Sequence, residues 1–121
     1  MARTFESLVV WQKARSLNKR IELELDKIPA SKTDYDLNRQ IKRASNSVMS
    51  NIAEGSSRGT KADYVRFIDM ASGSSSEIRS HLYVYLDYEI LEPSVVKELQ
   101  AKSTEINKML TGLKKTLKNA K

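Results

Sequence analysis

The sequence predicts an all-α fold, an antiparallel up-down-up-down four-helix bundle that forms one domain over residues 1–121. Four segments repeat apolar residues at spacings of three and four, which is the period of an amphipathic helix. The chain also has only four glycines and two prolines, too few to punctuate a many-stranded β-fold. We expect helices at roughly 6–28, 36–54, 60–88 and 93–118, joined by short connections that make sequential neighbours antiparallel.

The first predicted helix carries one apolar stripe and ends before Pro29, which cannot continue a helix. Its stripe consists of Val10, Ala14, Leu17, Ile21, Leu25 and Ile28. In the polar loop that follows, Asp34 or Asp36 is suited to cap the second helix. The second stripe consists of Leu37, Ile41, Ala44, Val48 and Ile52. We expect Gly55 to be the left-handed residue just past the end of that helix.

The third helix is expected to begin near Thr60, because Thr60-Lys-Ala-Asp63 resembles a capping box. Its core-facing residues are Tyr64, Phe67, Ile68, Ala71, Ile78, Leu82, Tyr85 and Leu86. The small residues 71–76 lower helix propensity but let a neighbouring backbone approach, and we expect the helix to continue through them. Pro93 is suited to the first turn of the fourth helix. The fourth stripe consists of Leu99, Ser103, Ile106, Leu110, Leu113 and Leu117.

Helices one and three carry apolar side chains beyond the single stripe that a four-helix monomer has to bury. These extra residues are Phe5, Leu8, Val9, Trp11, Tyr83 and Val84. An excess of this kind favours self-association, and we therefore expect a homo-oligomer. The alternative is that some of them pack under loops or are exposed singly.

The composition indicates a cytoplasmic protein. The sequence has no cysteine, which is compatible with a reducing compartment and excludes disulfide and thiolate chemistry. Its longest apolar runs are too short to span a bilayer, and its first residues do not have the pattern of a signal peptide.

Basic residues are segregated along the chain. In total 21 Lys and Arg oppose 15 Asp and Glu, which gives a net charge of +6 and an isoelectric point near 9.6. Residues 37–66 hold six bases and two acids, and residues 93–121 hold seven bases and two acids. Residues 67–92 reverse the sign, with Arg79 as the one base among five acids. The pattern favours docking to a polyanion; the alternative is a solvated helix surface with chance clustering.

The sequence offers little for catalysis, and we expect no enzymatic activity, no cofactor and no metal site. The one histidine, His81, shares a helix face with Glu77, but no second histidine could complete a di-metal set. The central stretch SNIAEGSSRG, residues 50–59, has the wrong spacing for a phosphate-binding Walker loop and follows a helix. We interpret Asn51, Glu54 and Gly55 as a structural motif at a helix end, with Arg58 able to fold back onto Glu54.

The candidate nucleic-acid-binding residues are cations placed away from the apolar stripes. They are Arg39, Lys42, Arg43, Arg58, Lys61, Arg66, Lys114, Lys115 and Lys118, with Lys121 near the last cluster. Arg15, Lys19 and Arg20 form a further basic cluster on the first helix. Contacts from such side chains to phosphate oxygens give salt-dependent affinity with little sequence preference. The chain has no RNP motif, KH loop or zinc knuckle, so the sequence does not predict base-specific recognition.

Two blocks of this sequence resemble a known family. Residues 5–14, FESLVVWQKA, are similar to its opening signature, and residues 43–58, RASNSVMSNIAEGSSR, with residues 63–67, DYVRF, are similar to its central one. The family is that of the bacterial four-helix bundle proteins of 23S rRNA intervening sequences. The resemblance implies an up-down bundle without known enzymatic activity. A related family, the accessory variability protein of diversity-generating retroelements, forms a pentameric barrel and binds nucleic acid and a reverse transcriptase through a basic surface.

From these features we expect a non-catalytic, basic helical bundle that binds structured RNA or an RNA–protein complex through phosphate contacts. The resemblance implies a ring-like homo-oligomer, specifically a homopentamer, and a reverse transcriptase as a possible protein partner. The alternative is a protein-interaction scaffold, such as a reverse-transcriptase accessory subunit, in which positive charge serves only solubility.

Overall fold

Four helices make up the fold in this computed structural model, which describes residues 4–120. The elements in chain order are a 3₁₀ turn Phe5–Ser7, α1 Val9–Asp26, a 3₁₀ turn Ala30–Lys32, α2 Tyr35–Ser56, α3 Lys61–Asp87 and α4 Pro93–Asn119. No strand occurs within this described range, which confirms the predicted all-α class. None of the four helices is both long and apolar enough to cross a membrane, over the residues that the structure describes.

The start of the first helix differs from the prediction. A regular helix from residue 6 was wrong, because Leu8 has an extended backbone (φ −75°, ψ 122°) and separates the turn Phe5–Ser7 from α1. The hydroxyl of Ser7 donates to the carbonyl of Thr4 (2.8 Å) and stabilises that turn. At the other end α1 stops at Asp26, yet Ile28 still packs into the core from the connection.

The N-terminal caps follow local sequence chemistry. The Asp34 carboxylate accepts a hydrogen bond from the backbone N–H of Leu37 (3.0 Å), which settles the choice between the two candidate aspartates. The Thr60 hydroxyl accepts from the backbone N–H of Asp63 (3.1 Å), while the Asp63 carboxylate lies 3.5 Å from Arg58. Only the Thr60 half of the predicted capping box forms, because the Asp63 carboxylate pairs with Arg58 and Arg66 instead of the Thr60 backbone.

The helices contact one another in a closed ring of neighbours. α1 and α3 each pack against α2 and α4, whereas the Cα atoms of diagonal helices stay more than 8 Å apart within the described residues. Between α1 and α4, ion pairs join Lys13 to Glu105 and Arg20 to Glu98, so the partner number falls as the α1 number rises. Side-chain bonds in the other three neighbouring pairs run in the same reversed order. This is the order of an antiparallel up-down bundle.

The apolar stripes form one continuous core. All predicted members of the first two stripes are at most 9% exposed. In α3 and α4 the central members are buried equally well, whereas residues near the helix ends are only partly buried. The partly buried members are Tyr64, Phe67, Leu86, Leu113 and Leu117. The helix continues through the small residues 71–76, as the sequence predicts.

The extra apolar side chains divide into two sets. Phe5 stacks edge-on against Trp11, with ring centroids 5.0 Å apart. Three of the set pack against the core from its edge: Leu8, Trp11 and Val84. Val9 and Tyr83 remain 55% and 56% exposed. Part of the excess is therefore used within the chain, and part faces outward.

A layer of polar side chains, formed by Asn18, Ser45, Ser75 and Ser103, crosses the middle of the bundle. Ser75 and Ser103 are fully buried, and their Oγ atoms lie 2.7 Å apart. The hydroxyl of Ser103 lies 2.8 Å from the carbonyl of Ser75, and that of Ser75 lies 3.1 Å from the carbonyl of Ser103. Asn18 donates to Ser45 Oγ (2.9 Å). These bonds require close approach of the helix backbones and we call this set the polar layer.

Gly55 has a packing role in place of the predicted left-handed one. The expectation that it lies past the end of α2 was wrong, since α2 runs to Ser56 and the described glycines have no positive φ. A Cβ at Gly55 would lie 2.7 Å from Phe67 Cβ and 3.2 Å from Tyr64 Cδ1. Glycine at this position therefore lets α3 approach the last turn of α2.

Substitution of Gly55 tests this contact. The Gly55→Ala variant should lower the free energy of unfolding by about 1 to 3 kcal/mol, because the Phe67 Cβ sits against the backbone and cannot swing away. Gly112→Ala is the matched control: it also lies within a helix, but its new methyl meets nothing within 4 Å. That control should gain up to about 1 kcal/mol from helix propensity. Urea denaturation of both variants checks the prediction, and equal shifts would contradict it.

The ion pair between α1 and α4 gives a prediction for pH. A hydrogen bond from Arg20, together with its charge, lowers the pKa of Glu98 below the ordinary value of 4.5. Because the folded-state pKa lies below the unfolded-state one, the pair stabilises the fold above pH 4.5 and this contribution is lost as pH falls through the folded pKa.

We expect an NMR titration of the Glu98 carboxyl carbon to give a midpoint below 4.5, and the Arg20→Met variant to restore it toward 4.5. A wild-type midpoint at or above 4.5 would show that the bond does not persist in solution.

Candidate nucleic-acid interface

Residues 50–59 form the end of α2 and the turn after it, and side-chain hydrogen bonds stabilise this conformation. Asn51 Nδ2 donates to the carbonyl and the hydroxyl oxygen of Ser47, both at 2.9 Å. Ser74 of α3 hydrogen-bonds the same Ser47 hydroxyl (2.8 Å) and so links this turn to the next helix. Arg58 folds back onto Glu54, as the sequence predicts, with 3.2 Å between Nη1 and Oε1.

Two arginines lie against the ring of Phe67 at this end. The guanidinium carbon of Arg58 lies 5.3 Å from the ring centroid and that of Arg66 lies 4.7 Å from it. Both arginines also approach the Asp63 carboxylate, at 3.5 Å and 3.6 Å. Cation–π and ion-pair contacts therefore join the end of α2 to the start of α3. Asp63 and Phe67 are contacts that the sequence did not assign to these arginines.

The structure divides the nine candidate cations between the two sides of the polar layer. Six lie on the side where α2 ends, α3 begins and α4 ends: Arg58, Lys61, Arg66, Lys114, Lys115 and Lys118. The other three lie on α2 beyond that layer: Arg39, Lys42 and Arg43.

The charge of the whole bundle is polarised in the same way. We define the basic half as residues 4–17, 46–74 and 106–120, which lie on one side of the polar layer. The basic half holds nine Lys and Arg against four Asp and Glu. The opposite half, residues 18–45 and 75–105, holds ten against eleven. The net positive charge of the described chain is therefore concentrated in the basic half, because acids balance the bases of the opposite half.

Five of the nine candidate cations have a carboxylate partner. Ion pairs join Arg39 to Asp36 (2.9 Å) and Lys42 to Glu22 (3.2 Å) in the opposite half. In the basic half the paired cations are Arg58, Arg66 and Lys114. Most of these side chains are solvent-exposed, and exposed pairs contribute only about 0 to 1 kcal/mol each, so phosphate can compete for the cation.

The remaining four candidates make no ion pair with any residue in the described range: Arg43, Lys61, Lys115 and Lys118. Three of them belong to the basic half. Lys61 Nζ donates to the carbonyl of Ala120 (2.6 Å) and joins the first turn of α3 to the end of α4. Lys121 lies outside the described residues.

The further cluster on α1 does not form a separate basic patch. Arg15 lies over the ring of Trp11, with 5.8 Å from the guanidinium carbon to the centroid. Arg20 is engaged by Glu98, whose hydrogen bond raises the pKa of the guanidinium. Lys19 is exposed.

Arg15 and Arg20 are therefore directed to different partners, an aromatic ring of α1 and a carboxylate of α4.

One polar residue of interest was not selected from the sequence. Arg79 lies in the segment where acids outnumber bases, and its guanidinium contacts neutral oxygens of Ser103 (3.0 Å), Asn107 (2.5 Å) and Ser76 (3.1 Å). No carboxylate in the described part of the chain forms an ion pair with it. The spacing of Ser72, Ser76 and Arg79 at four and three residues is the signal that indicates one polar helix face.

Titratable groups outside these clusters offer little additional chemistry. His81 Nε2 lies 3.2 Å from Glu77 Oε2, as their helical spacing predicts. The described residues contain no group of three or more His, Cys, Asp or Glu side chains placed to hold a metal ion.

A cleft of about 360 Å³ beside the start of α2 brings Arg39 and Lys42 together with Asp26. Burial raises the pKa of Tyr85, whose hydroxyl donates to Asn38 Oδ1 (2.7 Å) behind that cleft.

The four-helix fold and the excess of Lys and Arg in the basic half define a small, basic four-helix bundle protein. Comparison with protein families matches residues 6–112 to the family described as 23S rRNA-intervening sequence protein. The match covers most of the chain, and the chain belongs to this family. The resemblance seen in the sequence is confirmed.

A solved structure shares the fold. It is a crystal structure of a protein with unknown function from the S23 ribosomal protein family of Bacteroides thetaiotaomicron. The TM-score is 0.82 with 24% sequence identity, and the likeness covers 88% of this chain and 99% of that chain. A comparison with curated proteins found no match.

Proposed function

We propose that this protein of the 23S rRNA-intervening sequence family is non-catalytic and binds structured RNA, or an RNA–protein complex, through phosphate contacts at its basic half. The observation that carries the proposal is the polarisation of charge, nine Lys and Arg against four Asp and Glu on one side of the polar layer. In this proposal the protein acts in the cytoplasm, which its cysteine-free sequence suits.

A net positive charge on one half of a small bundle acts as a unit on a polyanion. The Debye length is about 8 Å at physiological salt, so neighbouring lysines on adjacent helix turns are not screened from one another. Lys115 and Lys118 are one turn apart at the end of α4, and Lys61 lies at the start of the adjacent helix. Each phosphate that such a group neutralises releases counterions, which makes the affinity fall as salt rises.

The non-catalytic role is supported by side-chain chemistry. The chain has no cysteine, and its one histidine pairs with Glu77 on α3 instead of with a serine hydroxyl. The motif of residues 50–59 is occupied by packing contacts: Asn51 bonds Ser47, and Glu54 bonds Arg58. These contacts support a structural role for that motif.

The proposal predicts salt-dependent RNA binding that depends on the basic half. Affinity for a structured RNA should fall steeply between about 50 and about 200 mM salt. The double variant Lys115→Glu/Lys118→Glu should weaken binding at least about tenfold, because it replaces two phosphate contacts by repulsion. Lys97→Glu/Lys102→Glu is the matched control, with the same charge change on the same helix but in the opposite half.

Fluorescence anisotropy titrations at the two salt concentrations make the measurement. Absent binding at low salt, salt-independent affinity, or equal losses in the two double variants would each count against the proposal.

The alternative function is a protein-interaction scaffold, for example an accessory subunit of a reverse transcriptase. The observation that favours it is the set of large apolar side chains that remain exposed: Val9, Leu23, Tyr35, Met70, Tyr83 and Tyr88. Charge reversal in the basic half separates the two functions further, whereas Arg39, Lys42 and Arg43 lie in the opposite half. The Lys115→Glu/Lys118→Glu variant should reduce RNA retention if the protein binds RNA there, and it should leave partner capture unchanged if the protein is a scaffold.

We also propose that the chain assembles as a homo-oligomer, a ring-like pentamer by analogy with the related retroelement protein. Exposed Val9 and Leu23 on α1 and exposed Met70 on α3 support it, because α1 and α3 are not adjacent and their apolar side chains offer two separate contact surfaces, as a closed ring of subunits requires.

Light scattering at micromolar concentration tests the assembly. The pentamer should give about five times the chain mass of 13.7 kDa. A mass of one chain would reject self-association, and a different multiple would reject the pentamer alone.

A further inference from the structure

The outer groove between α3 and α4 is lined by one polar face from each helix. On α4 the face repeats at spacings of four and three, and its members are Gln100, Thr104, Asn107, Thr111, Lys114 and Lys118. This spacing keeps side chains on a single helix face. Bonds across the groove show that the face is directed to α3: Gln100 donates to the carbonyl of Arg79, and Asn107 Nδ2 donates to the carbonyl of Ser72.

The groove is basic and hydroxyl-rich. Among the described contacts between α3 and α4, the only carboxylate is that of Asp69, which pairs with Lys114 (2.7 Å). Lys61 and Lys118 stand at one end of the groove and line an apolar cleft of about 390 Å³ with Val65. Arg79 stands near its middle. Hydroxyls, amides and cations are the groups that contact phosphate and sugar oxygens in nucleic-acid complexes.

Arg79 is held in a fixed orientation that leaves its charge uncompensated. Nη1 donates to Ser103 Oγ and Asn107 Oδ1, and Nη2 donates to Ser76 Oγ. A guanidinium has five N–H donors, so these three bonds leave two for a ligand. All three partners are neutral, and Asn107 is itself oriented by its bond to Ser72. A cation fixed in advance loses little entropy when it binds an anion.

An exposed aromatic ring follows Arg79 on the same helix face. Tyr83 comes four residues later and is 56% exposed. Residues at this spacing are neighbours on a helix surface. A cation that can hold a phosphate beside an aromatic ring that can stack on a base is the combination used by proteins that bind single-stranded nucleic acid.

We propose that the α3–α4 groove binds a single-stranded segment of RNA, with Arg79 on a phosphate and Tyr83 stacked on a neighbouring base. The inference rests on the proposed RNA-binding function and names the form of RNA that this groove takes. The strand continues from Arg79 toward Lys114 and Lys118 in the basic half. A protein helix fits the groove less well, because its central lining offers hydroxyls and amides where a helix would need apolar pockets.

A pair of threonine substitutions tests the groove without disturbing the core. Thr111 and Thr116 are both exposed residues of α4, but Thr116 falls outside the repeat that faces α3. Thr111→Glu should weaken binding of a 12-nucleotide oligouridylate at least about tenfold, because it places an acid in the phosphate path. Thr116→Glu adds the same charge on the other flank and should change the affinity by less than about twofold.

A second measurement observes Arg79 directly in the wild-type protein. Titration with the oligouridylate should shift the NMR resonance of the Arg79 Nε–H group in a saturable way. The Arg79→Lys variant keeps the charge but loses the planar fork, and it should bind more weakly than wild type at unchanged salt dependence. Tyr83→Ala should weaken binding of the single strand without changing the melting temperature, since this side chain is mostly exposed.

The outcomes separate this inference from the proposed function. Binding of a structured RNA but not of the oligouridylate by the wild-type protein would reject the groove proposal and leave the basic-half proposal intact. The same conclusion follows if Thr111→Glu binds as tightly as wild type while Lys115→Glu/Lys118→Glu binds more weakly. An unshifted Arg79 resonance at saturation also overturns the groove. If an acidic peptide of the same charge displaces the oligouridylate as well as unlabelled oligouridylate does, the groove is a protein-binding site instead of an RNA-binding one. If no RNA binds at low salt, both proposals fall.

Discussion

The register of α3 against α4 is the constraint on which the rest of this structure depends. Ser75 and Ser103 are fully buried and satisfy each other through hydroxyl and carbonyl oxygens. A slip of one helical turn would place Ser75 beside Leu99 or Ile106 and leave buried hydroxyls without partners. Each such group costs about 1 to 3 kcal/mol. Apolar stripes hold the helices together, but they tolerate sliding better than these serines do.

The register decides which charges share an end of the bundle. Along the chain, a segment with five acids separates two basic segments. Antiparallel packing brings the end of α2, the start of α3 and the end of α4 together, and it carries Asp87, Glu89 and Glu92 to the far end. A moderate net charge of +6 thus becomes a concentrated one, with the acids and bases of the opposite half nearly balanced. The working surface that we propose is a product of this arrangement.

The motif of residues 50–59 shows how packing requirements can produce a sequence that resembles a catalytic or phosphate-binding motif. Gly55 admits Phe67, Arg58 bridges Glu54 and Asp63, and each contact serves the junction between α2 and α3. The sequence identified the motif as a helix end and paired Arg58 with Glu54. It placed Gly55 wrongly, because a glycine near a helix end fits either a left-handed cap or a close approach, and only the position of α3 distinguishes them.

The sequence by itself determined the four helices, the cap at Thr60, the first-turn position of Pro93 and the buried stripes, and it limited the cap of α2 to Asp34 or Asp36. These features follow from spacing and from bonds within a few residues. The tertiary structure alone decided that Lys42 meets Glu22 and Lys114 meets Asp69. It also decided how net positive charge gathers on one side of the polar layer, and that Arg79 faces neutral oxygens of α4. Those features depend on residues tens of positions apart, and local periodicity does not fix how helices align along their axes.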